Sequence, residues 1–146
     1  MMKETTTKQL AEILNKIDKS DDLKEYLSSE KMIRDDMNFS QYYESLLKQK
    51  NVEVSDAVKN SGIERTYAYQ IINGTRNNPS KDKILRLCIG IDCDLDATVR
   101  ALEIAQAGPL YPRDKRDAII IFAINNHCSV MDTNLLLNEF NEDYLA

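Results

Sequence analysis

Val54-Ser-Asp-Ala-Val-Lys-Asn-Ser-Gly62-Ile-Glu-Arg65-Thr-Tyr-Ala-Tyr-Gln-Ile-Ile-Asn73-Gly-Thr-Arg-Asn-Asn-Pro-Ser80 is the stretch that decides the fold. Residues 54–61 and 65–73 each have the length and apolar spacing of a short helix. Gly62 separates them, because glycine tolerates the left-handed backbone that a sharp turn needs. Ala57, Ala68 and Ile71 fall where the two helices would touch. Arg65, Thr66, Tyr69, Gln70 and Asn73 then share the opposite face. Asn73-Gly74 ends the second helix, residues 75–79 form a loop, and Ser80 caps a third helix.

Ile84, Leu87, Cys88 and Ile91 mark the inner face of that third helix. Asp94 can cap another helix, with Leu95, Val99, Leu102 and Ala105 inside, stopped by Gly108-Pro109. On the N-terminal side Phe39, Tyr42, Tyr43, Leu46 and Leu47 form a stripe that ends near Asn51. Residues 1–37 read as two short amphipathic helices. The first carries Leu10, Ile13, Leu14 and Ile17, capped by Thr6 or Thr7; the second starts at Ser20-Asp21-Asp22 and carries Leu23 and Leu27; residues 28–37 are a polar link. After Pro112, residues 113–126 are apolar nearly all round at their end, which predicts a central buried helix. A strand over 119–124 is the alternative, because β-branched residues cluster there. Ser129 caps a last helix with Val130, Leu136, Leu137 and Phe140 inside. The expectation is an all-α chain with an N-terminal helical segment at 1–37 and a domain at 38–146.

The chain has 146 residues and a net charge of −5. Residues 59–86 run against that acidity: six basic side chains (Lys59, Arg65, Arg76, Lys81, Lys83, Arg86) meet two acidic ones, Glu64 and Asp82. The longest apolar run, Ala118 to Ile124, is core-sized and far short of the roughly 18 residues of a membrane span. With no apolar signal region at the N-terminus, the expected location is the cytoplasm and no membrane is involved. Cys88, Cys93 and Cys128 are odd in number and lack zinc-knuckle spacing, so reduced thiols are expected, with no metal and no cofactor. Asp92, Asp94 and Asp96 lack the glycine and distal glutamate of a calcium loop. One histidine, His127, gives no nucleophile–base set, and an enzyme is not expected.

Two short helices around Gly62 have the spacing of a helix-turn-helix. Residues 39–107 resemble the phage-repressor (Cro/repressor, or xenobiotic-response-element) family, carried by the string Ser61 to Ser80: Asn-Gly closing the second helix, a basic loop, then Pro-Ser opening the next. The resemblance covers about half the chain. It implies a lambda-repressor-like five-helix core with helical additions at both ends, and sequence-specific binding of double-stranded DNA, often as a homodimer. By that resemblance Arg65, Thr66, Tyr69 and Gln70 fall on base- and backbone-reading positions, Asn73 closes the helix, Arg76 and Asn78 fall on the loop along the phosphates, and Lys81 and Lys83 open the following helix. Arg and Gln carry the forked groups that read guanine and adenine.

Four features depart from the family pattern. Val54 stands where a polar residue usually begins the first motif helix, and Glu64 where Ser or Asp usually precedes the second. The loop before Pro79 is one residue longer, and Ala57-Val58 reverses the usual large-then-small order. The overall acidity, Val54 and Glu64 support a second reading, a protein-interaction module that keeps the fold without DNA binding, with partners met through the terminal helices. A second basic spot, Arg113, Lys115 and Arg116, either extends a DNA footprint or pairs with Asp114 and Asp117 as solvated surface. Of Tyr67 and Tyr69, one is expected to face outward, Tyr69, and the other to pack.

Overall fold

The computed structural model describes residues 7–16, 20–27 and 37–146. The chain divides into two compact units, Met1–Met37 and Asn38–Ala146. Every regular element among the described residues is an α-helix, which decides against a strand at 119–124.

The first unit contains α1 (Thr7–Lys16) and α2 (Ser20–Leu27). Asp21 and Asp22 lie in the first turn of α2, where carboxylates favour the positive end of the helix dipole. Leu14, Leu23 and Leu27 are exposed on these helices. The expected cap at Thr6, the apolar Ile17 and the link at 28–36 lie outside the described residues, as does the side chain of Leu10.

The second unit contains α3 (Phe39–Lys50), α4 (Val54–Ser61), α5 (Arg65–Asn73), α6 (Lys81–Gly90), α7 (Leu95–Ile104), α8 (Lys115–Asn125) and α9 (Val130–Glu139). Short polar side chains set most of the starts. Asn38 and Gln41 form a reciprocal capping box at α3. Ser80, Asp94, Asp114 and Ser129 each accept an amide of their own helix. Asp94 therefore serves as a cap.

The central helix is α6, not α8. Ile84, Leu85, Leu87, Cys88 and Ile89 are all buried, because α4, α7 and α9 pack around it. The expectation for α8 is corrected: only Asp117, Ile120, Ala123 and Ile124 are buried, while Phe122 is 55% exposed. α8 packs on α9 and α7, and Phe122 is left facing solvent. Apolarity along a sequence marks what can be buried, and the number of neighbouring helices decides how much is. The inner face of α7 is also rotated from expectation. Ala97, Thr98, Ala101 and Leu102 are buried, and Leu95 and Val99 are half-buried at its edges. Thr98 tolerates burial because its hydroxyl donates to the Asp94 carbonyl. In α9, Val130, Thr133 and Leu137 are buried, whereas Phe140 lies past the helix end and is exposed. Tyr43, fully buried, donates its hydroxyl to the Leu87 carbonyl at 2.7 Å and ties α3 to α6.

The α8–α9 hairpin is fixed to α6 by charge. Asp117, nearly fully buried, accepts both the Lys81 ammonium (2.9 and 3.1 Å) and the Tyr111 amide (2.9 Å). Arg116 grips Asp82 through two nitrogens, at 3.1 and 2.9 Å. A bidentate guanidinium–carboxylate pair fixes orientation as well as adding energy.

Candidate nucleic-acid interface

α4 and α5 pack on each other and meet at Gly62, whose φ of 69° lies in the left-handed region. A Cβ there would stand 2.9 Å from Arg86 Nη1. The left-handed backbone is what requires glycine, and a Cβ would in addition displace the tip of Arg86. Ser61, fully buried, donates to the Val58 carbonyl and accepts the Ile63 amide, so the turn satisfies its own polar groups. Ala57, Ala68 and Ile71 are buried as the spacing predicts.

Glu64 caps α5. Its two carboxylate oxygens accept the Thr66 and Tyr67 amides at 3.0 and 2.9 Å. Those amide bonds, Tyr67 first, hold the Glu64 carboxyl below the usual carboxylate range. The sequence suggests a carboxylate opposing an incoming phosphate; the structure adds that it already occupies the free amides of the helix start.

The outer face of α5 joins two tyrosines to three cations. Arg65 stands 5.7 Å from the centre of the Tyr69 ring. Arg76 stands 4.3 Å and Lys83 5.5 Å from the centre of the Tyr67 ring. Such cation–aromatic contacts orient long side chains that would otherwise be mobile. Both rings are half-exposed, which corrects the expectation that one of them packs away. Arg76 and Lys83 cover the Tyr67 ring from the loop and from α6. Arg76 Nε also donates to Gln70 Oε1 at 3.3 Å, and its amide to the Gln70 carbonyl at 3.0 Å. The amide thus closes the end of α5 while the guanidinium stays on the aromatic face.

Of the residues singled out in the sequence, Arg65 meets Tyr69 and Arg76 meets Gln70. Thr66 is exposed in the first turn of α5. Asn73 accepts the Thr75 amide at 2.8 Å and shapes the loop. Asn78 is exposed with a φ of 54°. Lys81 is not part of this set: its ammonium is held by Asp117 and by the Pro109 carbonyl. Tyr67 and Lys83 complete the face; Lys83 is the one of the Lys81–Lys83 pair that joins it, and Tyr67 is the ring expected to pack. The Tyr67–Lys83 contact joins two helices and has no local signature, whereas Arg65 and Tyr69 are an ordinary i,i+4 pair. A cleft of about 370 Å³ opens beside the loop, bordered by Arg76, Asn78, Phe39 and Gln106.

Two of the three residues of the second basic spot, Lys115 and Arg116, are used internally, with partners other than those expected, while Arg113 is exposed. Arg116 binds Asp82 and the carbonyls of Asp143 and Tyr144, and Lys115 binds the Phe140 carbonyl and Glu142. Asp117 belongs to Lys81, and Asp114 to the cap of α8. Cys88 and Cys93 are buried and Cys128 half-buried, all three as free thiols. No helix among the described residues is long and apolar enough to cross a membrane. Comparison with protein-family models, with curated proteins and with solved structures gives no significant match.

Proposed function

We propose that the chain is a sequence-specific, DNA-binding transcriptional regulator of the repressor-like helix-turn-helix type. In this reading α3 to α7 form a lambda-repressor-like five-helix core, and α4, the Gly62 turn and α5 form its helix-turn-helix. α5 enters the major groove of double-stranded DNA, and two copies bind as a homodimer. The observation that carries the reading is the outer face of α5. It presents Gln70, two half-exposed tyrosines and the cations Arg65, Arg76 and Lys83 in a chain whose net charge is −5. Arg65 and Gln70 supply base-reading groups, and Arg76 and Lys83 supply charge for the phosphates. Thr66, Asn73 and Asn78 flank them on the same helix and loop. Anisotropy titration of labelled duplex DNA at two salt concentrations tests it, because phosphate neutralisation makes the affinity fall steeply with salt.

A second reading is favoured by Glu64. A carboxylate already seated on the first amides of α5 repels a phosphate there, and a protein partner would not meet that penalty. Fold alone does not decide between the two. In this second reading the binding partner is a protein, met through the terminal helices, and its affinity is nearly insensitive to salt.

A further inference from the structure

After α9 the chain turns at Asn141 and runs back without helix over residues 143–146. All four of their carbonyls and the last two of their amides are tied down. The Asp143 and Tyr144 carbonyls accept from Arg116, at 3.1 and 3.0 Å. The Leu145 amide donates to Asn134 at 2.8 Å, and the Ala146 amide to Asp82 at 2.9 Å. The Leu145 and Ala146 oxygens both accept from Arg86, at 2.7 and 3.0 Å. The Leu145 side chain is 1% exposed, so an apolar plug backs the polar ties.

Arg86 has a third tie. Its Nη1 donates to the Ser61 carbonyl at 3.0 Å, at the last residue of α4, and packs against Gly62. One guanidinium thus bridges the segment at 143–146 and the turn between α4 and α5. We infer that residues 143–146 form a strap that holds the α4–α5 turn through Arg86, so that releasing the strap loosens the turn and weakens binding by the α5 face. The strap itself stands on geometry alone; only its effect on binding rests on the proposed DNA reading. The coupling needs no long pathway, because a single side chain spans it.

Hydrogen exchange of the full chain tests the strap. The reporters are the Gly62 and Ile63 amides, which bond the Lys59 carbonyl and the Ser61 hydroxyl. Leu145→Ala and the milder Arg86→Lys should each raise exchange at Gly62 and Ile63 by about tenfold, with Ala101 and Leu102 of α7 unchanged, as expected of local opening. The same variants should bind duplex DNA about tenfold more weakly, a shift of about 1.4 kcal/mol. Unchanged exchange at the turn, or a rise shared equally by α7, overturns the strap. A loosened turn with unchanged DNA affinity overturns its control of binding. If no form of the protein binds DNA while the turn amides still respond, the strap stands and the DNA reading falls.

Discussion

Glu64 sits where a backbone phosphate would find the unpaired amides of α5. Glu64→Gln removes the charge and keeps one acceptor oxygen, which serves one of the two amides, Thr66 or Tyr67. Affinity for duplex DNA at low salt should rise several-fold in this variant, measured by anisotropy. A fall would mean that the carboxylate contributes to binding and does not oppose it. Arg65→Ala and Gln70→Ala should each cost roughly 1–3 kcal/mol on a cognate site while leaving the melting temperature nearly unchanged. Lys81 behaves in the opposite way. Lys81→Met leaves Asp117 buried without its cation and should cost roughly 2–4 kcal/mol of folding stability in a urea titration. The helix caps at Ser80, Asp94 and Ser129 and the left-handed Gly62 were legible in the sequence, since local chemistry fixes them. The commitment of Lys81 was not legible. Its partner lies 36 residues away, and no local pattern distinguishes an anchoring lysine from a phosphate-binding one.

The elements divide along the same line. The extents of α3 to α7 follow from apolar spacing and capping residues, but how deeply each helix lies does not. The α8 sequence is the more apolar, yet α6 is the central helix because three others pack on it. Neighbour number is a tertiary property, absent from the periodicity of one segment. The turn between α4 and α5 is where backbone geometry matters most. Gly62→Ala forces a side chain onto a φ of 69° and against Arg86, and should cost about 1–3 kcal/mol by chemical denaturation. The junction of α6, α8 and the segment at 143–146 should be acid-sensitive. Burial raises the pKa of Asp82, but the Arg116 guanidinium, the Ala146 amide and the charge of Lys81 outweigh it and hold the carboxyl below its ordinary 3.8. A carboxyl with a depressed folded pKa adds stability that is present above the ordinary value and lost as pH falls through the folded one. Lowering the pH from 5 to below 3.8 should therefore release the Ala146 amide first, seen as loss of its protection by nuclear magnetic resonance; protection that persists until global unfolding would contradict this.

Across the whole molecule, the positive charge available to a nucleic acid is smaller than the sequence suggests. Of the six basic residues in 59–86, Lys81 and Arg86 are committed to internal contacts. Arg65, Arg76 and Lys83 are gathered around the α5 face. With Arg65 on the bases, the two phosphate contacts per copy by Arg76 and Lys83 predict a slope of log affinity against log salt of about −2, and about −4 for a dimer. A monomeric slope would argue against the homodimer without touching the groove face. The acidic remainder of the chain limits non-specific association, which favours discrimination over raw affinity. The central claim is that the outer face of α5 reads duplex DNA, and selection from a random duplex pool at low salt tests it most directly. The wild-type chain should enrich one motif, with two-fold symmetry if two copies bind, and Arg65→Ala with Gln70→Ala should abolish that enrichment. A wild-type chain that enriches nothing, or a double variant that enriches the same motif equally well, would contradict the account.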